Sequence, residues 1–318
     1  MNLAASARRI VGRAIRGVAS VRPRPKPSAP RFFHRSNTAE CAPQRAPFVF
    51  TSGLCREAHF RMPLYEYWCA QLGEEPRYHR KQWEHVFICQ VLHERGALFR
   101  GARGVGFGVG REPLASLFAS RGIDVVATDM DAGAAVEAGW AATDQHAGSQ
   151  LAALNARGLC EPAAFALHAR YRTVDMNAIP ADLRGFDFCW SSCSYEHLGS
   201  IERGNTFVRK SLDVLRAGGI AVHTTEYNLS SDAATVASGP TVLFRQRDFR
   251  ELATALRSDG HQVLPFDFTM GSEPVERYVD VPPYALEPHL RLKLRFGLRA
   301  YATTSFGVIV IKGDGVNA

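Results

Sequence analysis

The sequence predicts an α/β protein with a Rossmann-like, doubly wound and mostly parallel sheet of seven strands, an antiparallel last strand and an N-terminal helical cap. Two observations predict this fold. Strand-like and helix-like segments alternate from about residue 101 onwards, which is typical of a parallel sheet with helices on both faces. A glycine run at 104–110 precedes a helix-like stretch, the buried strand 123–128 and the carboxylate of Asp129. This order is typical of sheets that bind a nucleoside-containing cofactor.

The predicted elements follow one another at short intervals. A helical region covers 56–95, where Tyr65, Trp68 and Leu72 recur at helical spacing. We interpret this aromatic stripe as core rather than as a ligand site. Later helices are predicted over 148–158, 206–215 and 248–256, and further strands over 171–175, 186–190, 220–225, 262–268 and 303–311. The last two strands lack a clear crossover helix between them, so an antiparallel pair at one edge is expected.

The N-terminal segment is expected to lie outside the fold. Residues 1–39 contain nine basic residues and no acid, and residues 22–27 alternate basic residues with proline as in an extended linker. We therefore divide the chain into a disordered extension over 1–45, a helical cap over 46–95 and the main domain over 96–318.

The pattern of residues 1–20 indicates a short basic amphipathic helix. Three interpretations remain open. It is a frayed extension, a segment that contacts an anionic membrane surface, or an organelle transit peptide.

Charge and cysteine content restrict the compartment and the partners. Without residues 1–39 the chain has 38 − 9 = 29 basic and 31 acidic residues, so its near-neutral body predicts no nucleic-acid partner. The seven cysteines form no CxxC pair, which favours a reducing compartment, the cytoplasm. Cys189 and Cys193 could form a metal pair, but buried small apolar side chains are the favoured interpretation.

The glycine run and the acidic residues at the strand ends are suited to binding one nucleoside-containing ligand. Glycine lets the backbone approach a ligand where a Cβ would collide. Asp129 lies 129 − 106 = 23 residues after Gly106, which leaves room for one turn, one helix and one strand, and a carboxylate there can accept hydrogen bonds from both ribose hydroxyls. Asp175 could accept from an adenine amino group. The alternative for Asp129 is a helix N-cap, for which Asp131 competes.

These segments resemble the class I S-adenosylmethionine-dependent methyltransferases of bacteria, including members whose substrates are unassigned. The resemblance covers about 96–230, and more loosely the chain to 312. The segments that carry it are Gly106-Phe107-Gly108-Val109-Gly110, Ala127-Thr128-Asp129, Val174-Asp175-Met176 with Ile179-Pro180, Phe186-Asp187-Phe188, Tyr195-Glu196-His197-Leu198 and Leu215-Arg216-Ala217-Gly218-Gly219.

The resemblance implies S-adenosylmethionine as the cofactor. The residues it implies as the cofactor site are Gly106, Phe107, Gly108, Gly110, Asp129, Met130, Asp175, Met176 and Ser191. The chain departs from the family at Gly104, where the family often has an acid near the amino group of the cofactor. Glu112 could serve that group, or it could be a solvated acid in the first turn of a helix.

The implied reaction is transfer of a methyl group to a small molecule or glycan, with oxygen as the expected acceptor atom. His197, and with it Glu196, are the candidate catalytic residues, because they follow the fourth strand at the expected acceptor position. The candidate substrate contacts are Tyr195, Glu226, Tyr278 and Tyr284. His223 is interpreted as a core histidine, and no metal is expected because a third ligand for His223 and Glu226 is missing.

Two other functions remain open. The first is a protein that keeps the cofactor fold as a non-catalytic scaffold. The second is a nicotinamide-dependent oxidoreductase, although a GxGxxG motif would need glycine or alanine where Arg111 or Pro113 stands.

Overall fold

The structure is a computed structural model that describes residues 43–131, 133, 151–284 and 287–314. Within these residues the fold is α/β, as predicted, and is built on one sheet of ten strands. The strands are β1 Ser52–Leu54, β2 Arg103–Phe107, β3 Asp124–Asp129, β4 Ala169–Thr173, β5 Phe186–Ser192, β6 Leu215–Asn228, β7 Gln262–Val263, β8 Phe266–Asp267, β9 Leu292–Phe296 and β10 Arg299–Ile311. The helices are α1 Glu57–Phe60, α2 Pro63–Gln71, α3 Arg80–Glu94, α4 Leu114–Ser120, α5 Pro162–His168, α6 Ile201–Ser211, α7 Gln246–Ser258 and α8 Pro274–Arg277.

The sheet is doubly wound, and the predicted parallel and antiparallel parts are both confirmed. Its strand order is β4-β3-β2-β5-β6-β10-β1-β8, with β7 and β9 also paired to β10. Neighbours from β4 to β6 are parallel, whereas β10 runs antiparallel to β6 through nine residue pairs. The chain winds from β2 to β4 in one direction and continues from β5 in the other. This reversal opens a crevice at the carboxyl ends of β2 and β5.

The predicted number of seven strands is wrong, since ten are present among the described residues. The strand predicted over 262–268 is divided into β7 and β8 around Pro265, which has no backbone N–H to donate to a neighbouring strand. β9 forms a hairpin with β10, and Gly297 has a φ of 59° in the connection. β1 is a three-residue segment, too short to show a strand pattern in the sequence.

The segment 46–95 is packed into the body of the protein. It contains β1, which pairs with β10 in the sheet, and the three helices α1 to α3. Trp83 and Phe87 of α3 are fully buried, and a Cβ built on Gly307 of β10 would lie 2.3 Å from the Phe87 ring. The helix therefore lies directly on the sheet, where it can contribute side chains to the crevice.

The other predicted helices differ mainly in their bounds. The helix expected over 148–158 is a short 3-10 helix, Leu151–Asn155, and residues 148–150 lie outside the described part of the chain. α5 was not predicted; it begins after Glu161, whose carboxylate accepts a hydrogen bond from the N–H of Ala164 at 2.9 Å. In the described segments we find no helix with the length and apolar character of a membrane span. The expectations for residues 1–20, and for most of 1–45, lie outside the described residues.

Candidate cofactor site

A cavity of about 810 Å³ lies at the carboxyl edge of the parallel strands. Segments that follow β2, β3, β4 and β5 form most of its wall, and α3 closes one side with Lys81 and His85. The volume is in the range of roughly 300–1,000 Å³ that is typical of small-molecule sites.

The glycine turn after β2 forms the floor of the cavity. Gly108 has a φ of 59° and Gly110 a φ of 52°, and both line the cavity. A Cβ on Gly108 would lie 2.7 Å from the Cβ of Ser194 and 3.2 Å from the Sδ of Met176. Backbone strain and lack of space both require glycine at this position.

Asp129 lies at the tip of β3 and faces the turn. Its Oδ2 accepts a hydrogen bond from the N–H of Gly110 at 2.8 Å, and its Oδ1 accepts one from the N–H of Met130 at 2.8 Å. Met130 also lines the cavity. Both carboxylate oxygens are thereby oriented at the wall of the cavity.

The segment after β4 forms another part of the cavity wall. Asp175 and Met176 both line the cavity. Oδ1 of Asp175 accepts a hydrogen bond from the N–H of Asn177 at 2.8 Å, which fixes the carboxylate against its own turn. Six of the nine predicted cofactor residues therefore meet at one cavity, namely Gly108, Gly110, Asp129, Met130, Asp175 and Met176.

The other three predicted cofactor residues do not line the cavity. Gly106 lies inside β2, where a Cβ would lie 2.4 Å from the Trp190 ring. Phe107 is fully buried and packs edge-on against Phe207 of α6. Ser191 is buried, and its Oγ lies 2.8 Å from the Nδ1 of His223. The neighbouring Ser192 lines the cavity instead, because successive side chains of a strand point to opposite faces.

The candidate catalytic pair is divided between cavity and core. His197 lines the cavity, and its Nδ1 lies 2.9 Å from the Pro240 carbonyl oxygen. Glu196 is buried outside the cavity wall and accepts a hydrogen bond from the Thr225 hydroxyl at 3.0 Å. The two side chains approach to 3.9 Å, between Nε2 of His197 and Oε1 of Glu196.

The four predicted substrate contacts lie away from the cavity wall. Tyr195 is fully buried. Glu226 is buried, and its Oε2 lies 2.9 Å from a guanidinium nitrogen of Arg80. Tyr278 contacts Asp280, and the hydroxyl of Tyr284 donates to the carbonyl of Lys293 at 2.9 Å. The structure gives these residues contacts within the fold rather than at the cavity.

The sequence did not identify the residues that α3 contributes. Lys81 and His85 lie four positions apart, so they share one face of the helix. Nδ1 of His85 is buried without a hydrogen-bond partner, and burial lowers the pKa of this imidazole to about 4. The ring is therefore neutral at pH 7. The four-residue spacing predicts that the two side chains share one face of a helix. It does not predict which part of the sheet the helix packs against.

A buried polar network lies behind this side of the cavity. Arg80 pairs with Glu226 at 2.9 Å and with Glu84 at 3.4 Å, and the Cys193 thiol donates to Glu84 at 3.0 Å. Burial opposes ionisation of Glu84, but Lys81, Arg80 and hydrogen bonds from Ser305 and Cys193 outweigh it and lower its pKa to about 2. The carboxylate of Glu84 is therefore charged and is compensated within the protein.

Cys193 and two acids also have the ligand types of a metal site. Cys193, Glu196 and Glu226 have ligand atoms within 4.8 Å of one another. The cation that these groups face in the structure is the guanidinium of Arg80. Cys193 has a φ of 43°, the one positive φ among the described non-glycine residues, so its backbone is strained at the rim of the cavity.

His223 has the structural place predicted for it. The ring lies between Ser191 and Ser211, at 2.8 Å and 3.0 Å from their hydroxyl oxygens. Burial lowers its pKa to about 3, so it is a neutral core histidine, as predicted. Cys189 packs on the same side, 3.6 Å from the Ser211 carbonyl oxygen, and Cys193 contacts Glu84, so the two cysteines have separate surroundings.

Comparison with known proteins identifies similar folds only. No family model matches the chain, and no curated protein matches it. The [4+2]-cyclase SpnF is 18% identical with a TM-score of 0.45, over 74% of this chain and 85% of that chain. TehB from Haemophilus influenzae is 12% identical with a TM-score of 0.45, over 79% and 67%. The 1,6-didemethyltoxoflavin-N1-methyltransferase of Burkholderia thailandensis, solved with S-adenosylhomocysteine, is 14% identical with a TM-score of 0.41, over 70% and 76%.

Proposed function

We propose that the protein is an S-adenosylmethionine-dependent methyltransferase that acts on a small molecule or glycan. One observation carries the proposal. The turn at Gly108 and Gly110 and the carboxylate of Asp129 are joined by a hydrogen bond and face one cavity at the reversal of the strand order. This is the position at which doubly wound sheets bind nucleoside cofactors.

The cavity residues fit the parts of this cofactor. Asp129 would accept hydrogen bonds from the ribose hydroxyls, and Asp175 would accept one from the adenine amino group. Gly108 and Gly110 give the turn its positive-φ conformation at the cavity wall, and Met176 supplies an apolar contact. When bound, S-adenosylmethionine supplies a methyl group on a positively charged sulfur. The protein aligns the acceptor with that methyl group, which lowers the entropic part of the barrier.

We infer oxygen as the acceptor atom from the two imidazoles of the cavity wall. A hydroxyl acceptor needs a group that takes its proton, and a neutral imidazole can do so. The imidazole ring of His197 is held in one orientation by the contact between its Nδ1 and the Pro240 carbonyl oxygen. We assign proton acceptance to His197. The neutral ring of His85 is assigned to orienting the acceptor.

The alternatives have less support. At the two positions where a GxGxxG motif would need a small residue, Arg111 lines the cavity and Pro113 precedes α4, so a nicotinamide cofactor has no matching turn. A scaffold without catalysis would explain the cavity but not the imidazoles in its wall. A nucleic-acid partner is not expected from the charge of the body, and contact of residues 1–20 with a membrane stays a prediction.

Calorimetry tests the cofactor, and isotope transfer tests the reaction. We expect S-adenosylmethionine and S-adenosylhomocysteine to bind the purified protein and NAD not to bind. Binding of NAD alone would overturn the proposal. Transfer of a labelled methyl group to phenols, sugars, carboxylates or amines then identifies the acceptor. Binding of the cofactor without transfer to any acceptor would favour the scaffold.

A further inference from the structure

Glu112 is a buried acid in the wall of the cavity. It follows the glycine turn, and its N–H donates to the Val109 carbonyl at 3.0 Å. Its side chain lines the cavity although the residue is only 9% exposed, and its Oε1 accepts a hydrogen bond from the indole N–H of Trp190. Glu112 is therefore a fixed part of the site and not a solvated acid in the first turn of α4.

The carboxyl group of Glu112 has no cation partner among the described residues. Burial raises its pKa to about 8, against the hydrogen bond from Trp190, and the nearby carboxylate of Asp129 adds to the rise. A buried carboxylate is costly unless a positive charge pairs with it. While no positive charge pairs with it, the carboxyl group therefore keeps its proton at pH 7, and a cationic group of a ligand would stabilise its ionised form.

Gly104 and Gly106 of β2 leave no room for an acidic side chain at their positions. A Cβ on Gly104 would lie 2.4 Å from the Phe188 ring, and one on Gly106 would lie 2.4 Å from the Trp190 ring. The two aromatic rings of β5 thus cover the β2 positions that pair beside them. Glu112 reaches the seam between β2 and β5 from the loop after β2, and Trp190, which covers Gly106, also holds Glu112 in place.

We propose that Glu112 pairs with the α-ammonium group of the cofactor and makes the site selective for ligands that carry an amino-acid end. The inference rests on the proposed function. Asp129 at the tip of β3 is assigned to the ribose, whereas Glu112 lies over the seam between β2 and β5. A ligand that contacts both must have a hydroxylated ring and a cationic group, as S-adenosylhomocysteine does. 5′-Methylthioadenosine has the same nucleoside but no amino-acid end.

Calorimetry with these two ligands tests the assignment without any turnover. We expect Glu112→Gln to weaken binding of S-adenosylhomocysteine about ten- to a hundredfold, the usual size of a hydrogen bond between charged groups. Binding of 5′-methylthioadenosine should change by less than twofold, which also shows that the variant is folded. The matched control, Asp129→Asn, should weaken binding of both ligands, since both carry the ribose.

The outcomes separate this inference from the proposed function. If Glu112→Gln binds S-adenosylhomocysteine as tightly as the wild type, or weakens both ligands equally, the assignment of Glu112 is overturned and the cofactor remains. If the wild type binds neither ligand, the proposed function fails and the assignment fails with it.

Discussion

The N–H of Gly110 donates a hydrogen bond of 2.8 Å to Oδ2 of Asp129, and this contact joins the turn after β2 to the tip of β3. Two segments that are separated by a whole helix thereby become one surface. Since a second N–H, that of Met130, holds the other oxygen, the carboxylate is oriented before any ligand arrives. Ordering it on binding therefore costs little conformational entropy.

We expect Asp129→Asn to weaken binding of S-adenosylhomocysteine about tenfold or more, because hydrogen bonds to a charged acceptor contribute roughly 1.5–3 kcal/mol. Calorimetry measures the effect. Asp124→Asn is the matched control, since Asp124 lies at the opposite end of the same strand and contacts His168. Equal affinities for the wild type and Asp129→Asn would remove Asp129 from the site.

Gly108→Ala should abolish cofactor binding and lower the melting temperature. The substitution places a Cβ 2.7 Å from Ser194 in a residue with a φ of 59°. Gly158→Ala isolates the backbone contribution, because Gly158 has a φ of 67° and a Cβ added there would meet nothing within 4 Å. We expect this control to cost about 1 kcal/mol of stability and to leave binding unchanged. If both variants lose the same stability and retain the same affinity for the cofactor, the steric role of Gly108 in the site is contradicted.

The residues that could be predicted from the sequence are those whose placement is local. The turn at Gly108 and the strand tips at Asp129 and Asp175 follow from short-range patterns, and a parallel sheet brings its carboxyl ends together. Ser191 was predicted at the cavity and lies in the core, because a shift of one residue along a strand exchanges the two faces. Local sequence does not fix that register.

The residues assigned to the methyl acceptor could not be placed from the sequence, because packing between distant segments decides which of them reach the cavity. Lys81 and His85 reach the cavity because Trp83 and Phe87 bury the opposite part of α3 against the sheet. Helical spacing predicts the stripe but not the surface that it contacts. Similarly, Tyr278 and Tyr284 were predicted as substrate contacts, whereas their hydroxyls contact Asp280 and the backbone of β9.

His197→Gln should lower kcat for a hydroxyl acceptor by about 10²- to 10⁴-fold, the range of general-base catalysis. Binding of S-adenosylhomocysteine should change by less than twofold. His85→Gln should mainly raise KM for the acceptor, since we assign it to orientation. His168→Gln is the control, because this ring contacts Asp124 away from the cavity. A kcat of His197→Gln within threefold of the wild type would exclude His197 as the base.

Glu112 should make stability depend on pH. Its pKa is raised to about 8 in the folded protein, so the folded state holds a proton that the unfolded state releases above about pH 4.5. Stability is then lost as pH rises towards 8, by up to about 1.4 kcal/mol per unit. The charges that act on Glu112 are those of Asp129 on β3 and of Glu84 and Lys81 on α3.

Urea unfolding of the wild type and Glu112→Gln between pH 5 and 7.5 measures this dependence, because the other titrations largely cancel in the difference. We expect the wild type to lose stability relative to the variant as pH increases. A difference that stays constant with pH would show that Glu112 ionises normally.

Arg80→Ala should destabilise the protein by about 3–5 kcal/mol, because it removes the guanidinium that pairs with the buried Glu226 and one of the two cations that pair with Glu84. Denaturant unfolding measures the loss, and Arg209→Ala is the control. Arg209 pairs with Asp259 at the surface, where an ion pair contributes at most about 1 kcal/mol. Adding Glu226→Gln to Arg80→Ala should restore part of the stability, since it removes the carboxylate that has lost its ion pair with Arg80. If Arg80→Ala were no more destabilising than Arg209→Ala, the buried ion pairs of Arg80 would contribute no more to stability than a surface pair.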